Sequence, residues 1–137
     1  MGTTSVGVAQ KPIELILMRQ LAGTLVTPIF LVDPSGTLVF YNESAERILG
    51  VRFDETGEMP ATEWTTRWEP SDAEGAPLAP ERLPLMVALE QGRPAHGELW
   101  IQGIGGGRRH IQVTAIPLVA VSDRLLGAAA IFWEEPA

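Results

Sequence analysis

The chain contains no cysteine among its 137 residues. This absence excludes disulfides, cysteine nucleophiles, thiolate metal sites and flavin–cysteine photochemistry. It also fits a reducing compartment, so we expect a cytoplasmic protein. Histidine is scarce as well, since only His96 and His110 are present. His96 and Glu98 share one side of a predicted strand, but two ligands are too few for a structural metal, and we expect none.

Basic charge is also sparse, with 10 lysines and arginines against 17 acidic residues. The net charge of -7 and the pI near 4.7 disfavour contact with phosphate backbones, so we expect no nucleic acid partner. Long apolar runs are missing too. The longest near the start, from Ile13 to Met18, is short and contains Glu14, which argues against a membrane partner.

What remains is ordinary for one globular domain, with 45% hydrophobic and 20% charged residues. We divide the chain into three segments. Residues 1–11 are small and polar and predict a flexible tail. Residues 12–27 predict a flanking helix, with Pro12 suited to its first turn. Residues 28–135 predict the domain itself.

The flanking helix carries two apolar stripes instead of one. The first consists of Ile13, Ile16, Leu17 and Leu21, and the second of Leu15, Met18, Ala22 and Leu25. A surface helix needs only one apolar stripe. The helix is therefore either buried on both faces in the core of its own domain, or packed on its own sheet with one face and on a partner chain with the other. We favour the second arrangement.

Short elements follow in a regular order. Residues 28–33 and 37–41 predict a β-hairpin around Pro34-Ser35-Gly36. Asn42 is placed to cap a helix that Gly50 ends. Residues 54–81 contain eight acidic residues and one basic residue, which predicts a solvated, loop-rich segment. Trp64 and Trp68 are the large aromatic residues expected to hold this segment against the domain. Residues 80–91 predict a helix with Leu83, Met86 and Val87 on its apolar face. Strands are predicted at about 95–103, 108–117 and 125–134, with the glycines 105–107 at a hairpin turn.

Several motifs in this order resemble those of the PAS domain family. They are Pro28-Ile-Phe-Leu-Val-Asp33, Gly36, Phe40-Tyr-Asn42-Glu-Ser-Ala45, Ile48-Leu-Gly50, Pro84, Ala88-Leu89-x-x-Gly92, Pro117-Leu118 and Gly127. The resemblance covers roughly residues 13–134. It implies an α+β fold, with a five-stranded antiparallel sheet, short helices around a cavity on one face, and the N-terminal flanking helix on the other. Many family members close on Asp-Ile-Thr, where this chain reads Trp133-Glu134-Glu135.

Strand alternation in the family's register assigns side chains to the two faces of that sheet. The residues expected to point toward the helices are Phe30, Val32, Leu99, Ile101, Ile111, Val113, Ala115, Ala128, Ala130 and Phe132. The three alanines among them either admit bulky helix side chains or leave room for a ligand. Both alternatives stay open, and the apolar lining favours a small aromatic or aliphatic ligand.

The predicted ligand-binding set combines this inner face with residues from the helices. Its members are Phe30, Val32, Trp64, Arg67, Trp68, Met86, Ile101, Ile111, Val113, Ala115, Ala130 and Phe132. Arg67 lies between the two tryptophans in the sequence, where it would face a ligand carboxylate. The alternative role of Arg67 is a solvated side chain in an acidic loop.

The opposite sheet face is too apolar to be left to water. The flanking helix is the spare element that would cover it, and its second stripe would then contact another chain. We therefore expect a homodimer. The predicted interface consists of Ile13, Leu17, Leu21, Leu25, Leu31, Trp100, Ile116, Ile131 and Trp133.

The resemblance also raises the question of a cofactor. Family members that bind haem usually hold it through a histidine on the helix before the third strand, and the predicted helix at 80–91 has none. Flavin binding has no signature in the sequence. We therefore expect no cofactor, with haem and flavin both disfavoured. No Ser/His/Asp set or carboxylate pair is apparent, so we expect no enzyme.

Two functions fit these features. The first is a sensory domain that binds a small, largely apolar ligand, such as an aromatic molecule with a carboxylate, and signals through rearrangement of the dimer. The alternative is a ligand-free module with a filled core, used for homodimerisation or for docking another protein. The sequence identifies no effector, so the chain is either a sensor from a larger protein or a domain that docks onto a separate effector.

Overall fold

The computed structural model describes residues 13–22, 26–103 and 107–136. The predicted tail at residues 1–11 lies outside these ranges, as do Pro12, Leu25 and the glycines 105 and 106. The side chain of Ile13 is also outside the described part. No helix of the described chain is long and apolar enough to span a membrane.

The described chain forms five α-helices, one 3-10 turn and five strands. The helices are α1 (Ile13–Ala22), α2 (Glu43–Leu49), α3 (Phe53–Thr56), α4 (Ala61–Arg67) and α5 (Pro84–Gln91), and the 3-10 turn spans Pro80–Arg82. The strands are β1 (Ile29–Val32), β2 (Leu38–Tyr41), β3 (Ala95–Gln102), β4 (Arg108–Val119) and β5 (Leu125–Glu134). The predicted hairpin and the three predicted C-terminal strands are confirmed.

The strands form one sheet in the order β2-β1-β5-β4-β3, with every neighbouring pair antiparallel. All ten residues predicted for the inner face are buried in one cluster with side chains from the helices and from the connecting segments. A smaller cluster on the other face contacts Met18 of α1. The α+β class and the five-stranded antiparallel sheet are therefore confirmed.

Each edge strand of the sheet is bridged at one residue by a connecting segment. On the free side of β2, Leu38 exchanges two backbone hydrogen bonds with Met59, with N···O distances of 2.7 and 3.2 Å. On the free side of β3, Trp100 exchanges two with Ser71, at 2.8 and 2.9 Å. These bridges satisfy backbone groups that an edge strand would otherwise present to solvent.

Asn42 fixes the corner where β1, β2 and α2 meet. Its buried side-chain oxygen accepts hydrogen bonds from the backbone N–H of Ile29 and of Ala45, each at 3.1 Å. Its amide nitrogen donates to the carbonyl oxygen of Thr27 at 2.9 Å. One side chain therefore caps α2, as predicted, and also holds the chain that enters β1.

The helix predicted for residues 80–91 is broken at Leu83. Leu83 is extended, with φ -68° and ψ 137°, because the ring of Pro84 disfavours the helical conformation in the residue before it. The α-helix starts at Pro84 and buries Pro84, Leu85, Ala88 and Leu89. The predicted apolar face is corrected accordingly: Leu83 is buried, but Met86 and Val87 are only half-buried.

Gly127 in β5 marks a close approach between backbones. Its φ is +142°, and a Cβ built there would overlap the carbonyl oxygen of Val32. Val32 and Ala128 pair across β1 and β5, so Gly127 lies where the two strands separate. Any side chain at this position would push β1 away from β5.

We expect Gly127→Ala to destabilise the fold by more than the roughly 1–3 kcal/mol of a single strained residue, because steric overlap adds to an unfavourable φ. Gly75→Ala is the matched control, since Gly75 also has a positive φ of +87° but has no atom within 4 Å of the added Cβ. The control should cost about 1–2 kcal/mol. Urea unfolding measures both, and equal losses would contradict the close approach.

Candidate functional site

A cavity of about 90 Å³ lies between the inner face of the sheet and the helices. Its walls come from β1, β3, β4 and β5 on one side, and from α2, α4 and the segments around Pro70 and Pro84 on the other. The residues that line it are Phe30, Leu49, Trp64, Thr65, Trp68, Pro70, Leu83, Pro84, Leu85, Leu99, Ile101, Ile111, Val113, Ala130 and Phe132. Among these described residues, the polar side-chain atoms are the Thr65 hydroxyl and the indole nitrogens of Trp64 and Trp68.

The polar atoms in this lining are already hydrogen-bonded to the backbone. Trp64 Nε1 donates to the carbonyl oxygen of Gly36 at 2.8 Å, and Trp68 Nε1 donates to that of Leu49 at 2.9 Å. The Thr65 hydroxyl donates to the carbonyl oxygen of Ala61 at 2.6 Å. These bonds fix both indoles and leave an essentially apolar surface facing the cavity.

Phe30 is the centre of the aromatic packing around the cavity. Its ring centroid lies 5.2 Å from that of Trp64 and 6.3 Å from that of Trp68, both edge-to-face. On its other side it stacks on Tyr41 at 5.8 Å. The Tyr41 hydroxyl donates to the carbonyl oxygen of Val51 at 2.8 Å, and burial raises the pKa of this phenol above its ordinary value of 10.0.

Eight of the twelve residues predicted to bind a ligand line this cavity. They are Phe30, Trp64, Trp68, Ile101, Ile111, Val113, Ala130 and Phe132. Val32 and Ala115 are fully buried in the same core but lie away from the cavity. Whether the eight contact a ligand stays a prediction.

The two remaining predicted residues, Arg67 and Met86, do not line the cavity. The Arg67 guanidinium lies 3.7 Å from the Glu63 carboxylate and 5.7 Å from the ring of Trp68, on the solvent side of α4. Its partner is therefore an acid one helical turn earlier. Met86 points toward Gly36 because the break at Leu83 changes the face that α5 presents to the sheet.

Several lining residues from the helices and their connections were not predicted from the sequence. Leu49 appeared in the Ile48-Leu-Gly50 motif but was not assigned to the lining. Pro84 and Leu85 line the cavity in place of the predicted Met86. Pro84 itself could have indicated this, because a proline disfavours the helical conformation in the residue before it and so shifts the start of the helix. Pro70 gave no local signal, since its position follows from the pairing of Ser71 with Trp100.

On the opposite sheet face, α1 covers only part of the surface. Met18 packs against a buried cluster of Ile29, Leu31, Val39 and Ala129. The Arg19 guanidinium lies 5.1 Å from the ring of Phe40. Ile16, Leu17 and Leu21 face away and are 40%, 60% and 55% exposed. The stripe containing Leu17 and Leu21 is therefore the outward one.

The predicted interface residues do not all lie on an accessible surface. Leu31 is fully buried in the cluster on which Met18 of α1 packs, as expected for a face that the flanking helix covers, so it is not accessible to a partner chain. Trp100 is half-buried because His110 stacks on it, with ring centroids 4.2 Å apart. Ile131 is half-buried against the α1 cluster, whereas Ile116 and Trp133 are 36% and 42% exposed. Leu25 and the Ile13 side chain lie outside the described residues.

The comparison with family models finds one whose description is PAS domain, and it matches residues 26–134 of the chain. The chain belongs to the PAS domain family. Members of this family are generally sensory and signalling modules without catalytic activity. None of the curated proteins matches this PAS domain.

Solved structures show the same fold. A PAS domain from Colwellia psychrerythraea has a TM-score of 0.63 and 16% identity, covering 89% of this chain and 97% of its own. The LOV protein of Rhodobacter sphaeroides has a TM-score of 0.71 and 16% identity, covering 91% and 69%. A light-oxygen-voltage domain described with a flavin analogue has a TM-score of 0.63 and 13% identity, covering 90% and 85%. At these identities the likeness is one of fold.

The expectation of no cofactor, with haem and flavin disfavoured, is wrong as a conclusion about this PAS domain. Light-oxygen-voltage proteins share its fold, and one of them is described with a flavin analogue, so the fold allows a cofactor of that kind. The missing cysteine excludes a cysteine adduct only. The missing helix histidine excludes one mode of haem ligation only.

The cavity predicts opposite effects for two alanines that pair across β4 and β5. Ala130 lines the cavity, so Ala130→Val should fill part of it and stabilise the fold by about 1 kcal/mol. Ala115 is fully buried away from the cavity, so Ala115→Val should overpack the core and cost about 1–3 kcal/mol. Thermal unfolding measures both. Destabilisation of similar size in both variants would contradict an unfilled space beside Ala130.

Proposed function

We propose that this PAS domain binds a small, largely apolar ligand in the cavity and signals by rearranging a homodimer. The observation that carries the proposal is the unfilled space between the sheet and the helices, lined by Ala130 and by two indoles whose N–H groups are already bonded. Protein cores are normally close-packed, so a cavity of about 90 Å³ costs stability that a bound ligand would restore.

The volume limits what enters without movement of the walls. At about 90 Å³, the cavity is smaller than the roughly 150 Å³ of an engineered apolar cavity that binds benzene, so it admits only a small apolar group unless its walls move. Typical ligand pockets are about 300–1,000 Å³. A flavin ring would need the walls to open, and its polar edge would need partners outside the cavity lining. Flavin therefore belongs in the ligand test as a distinct outcome.

The route from cavity to dimer would pass through β1 and β5. Phe30 and Ala130 pair across these strands and line the cavity, while their neighbours Leu31 and Ala129 pair on the opposite face. Leu31 and Ala129 belong to the cluster on which Met18 of α1 packs. A ligand that displaces Phe30 would move the surface under α1, provided that it binds the two arrangements with unequal affinity.

We also propose that the domain performs no catalysis. The described cavity lining carries no ionisable side chain, and its polar groups are bound to the backbone, so it offers no proton donor or nucleophile.

The second candidate function is a ligand-free module for dimerisation or docking. The small volume of the cavity and the exposed stripe on α1 favour it.

A ligand screen separates these two functions. Purified protein would be extracted with organic solvent for mass spectrometry, and tested by thermal shift against aliphatic acids, aromatic acids and riboflavin. A ligand at about 100 times its dissociation constant should raise Tm by roughly 5–10 °C. Ala130→Val, which narrows the cavity, should reduce the shift for apolar ligands. No recovered compound and no shift at millimolar concentrations would favour the ligand-free module.

The dimer is tested on α1. Leu17→Glu should convert a dimer into a folded monomer and raise the dimer dissociation constant at least about 100-fold, because burying an unpaired carboxylate costs several kcal/mol. Val121→Glu is the control, because Val121 is a fully exposed apolar residue in the turn between β4 and β5. Light scattering after gel filtration measures both. A dimer unchanged by Leu17→Glu would contradict dimerisation through α1.

A further inference from the structure

The surface that faces the cavity is almost entirely carbon, backbone included. The polar side-chain atoms of the lining residues belong to Trp64, Thr65 and Trp68, and each donates to a backbone carbonyl oxygen, at 2.8, 2.6 and 2.9 Å. A ligand inside the cavity would therefore find no free hydrogen-bond donor among the described lining residues. The contacts that this lining offers are those of carbon with carbon.

Such a lining selects against polar ligands. A polar group that enters the cavity loses its hydrogen bonds to water and gains none in return. In protein interiors this loss weakens binding by roughly 5- to 150-fold for one neutral group, and by far more for an isolated carboxylate. The cavity itself therefore disfavours a charged ligand group.

The volume sets a second limit on the ligand. An engineered apolar cavity of roughly 150 Å³ holds benzene, which has six carbon atoms. At the same volume for each atom, the cavity of about 90 Å³ holds about four heavy atoms. The aliphatic and aromatic acids of common metabolism are mostly larger than this, so both limits point to smaller and less polar molecules.

We propose that the cavity selects uncharged molecules of about four heavy atoms that neither donate nor accept hydrogen bonds. The ligand class is a short branched hydrocarbon or an apolar gas. This inference rests on the proposed ligand binding and names its chemical class. It removes the carboxylate from the ligand expected from the sequence, since the predicted anchor Arg67 lies on the solvent side of α4 beside Glu63.

Three probes of one shape complete the ligand screen. 2-Methylpropene, acetone and acetate are planar, have three groups around a central carbon, and carry no, one and two oxygens in those positions. Each is titrated into the full chain near neutral pH, and NMR follows the methyl groups of Ile111 and Val113, which line the cavity. 2-Methylpropene should give saturable shifts, acetone should bind at least about 5-fold more weakly, and acetate should not bind.

Two pairs of variants locate the binding and test its cause. Ala130→Val adds two methyl groups to the lining and should weaken binding of 2-methylpropene at least about tenfold. Ala115→Val is the matched control, since it adds the same groups to a buried residue outside the lining, and should change binding less than about threefold. Val113→Thr places a hydroxyl in the lining and should reduce the preference for 2-methylpropene over acetone. If Ala115→Val does not fold, Val113→Thr compared with the wild type still tests the class.

The outcomes separate this class from ligand binding itself. Acetone or acetate that binds as tightly as 2-methylpropene overturns the class and leaves ligand binding in the cavity intact. Binding of 2-methylpropene that is unchanged in Ala130→Val also overturns it, because the molecule then lies elsewhere. If none of the three probes binds, the class is overturned, and the proposed ligand binding fails with it only when the rest of the screen finds no compound either.

Discussion

The pairing of β1 with β5 is the interaction on which the rest of the structure depends. It joins residues about a hundred positions apart and places large side chains of β1 opposite alanines of β5. Because the alanines are small, bulky groups can approach the centre of the sheet from both faces. The aromatic rings around Phe30 occupy one face and α1 occupies the other. The cavity lies on the first of these faces, and Phe30 and Ala130 both line it.

Much of this arrangement follows from local sequence patterns. Side chains alternate along a strand with a period of two, so one register assigned all ten inner-face residues correctly. Asn42 and Gly50 marked the ends of α2 because a cap requires particular chemistry at those positions. The boundaries of the three C-terminal strands were also close to those observed, since turn residues bound them.

The errors have physical causes of two kinds. Some could have been avoided from the local sequence. Pro84 disfavours helix at Leu83, and Glu63 lies one helical turn before Arg67, where it can form an ion pair. Others depend on contacts distant in sequence. The position of Arg108 is set by Ser71 and Asp72, and Ser71 is held by its pairing with Trp100. No local pattern connects these positions, so these contacts were not predicted. The cofactor error had a different cause. The missing cysteine and the missing helix histidine exclude only two modes of cofactor attachment, but they were taken to exclude flavin and haem altogether.

The two bridges at the sheet edges, Leu38 with Met59 and Trp100 with Ser71, also bear on the behaviour of the protein in solution. Uncovered edge strands promote strand addition between molecules, which leads to aggregation. The segment that protects β3 is the same one that orients Arg108. Changes that reshape this segment would therefore risk uncovering the edge of β3. The position of Arg108 and the protection of the β3 edge therefore depend on the same few residues.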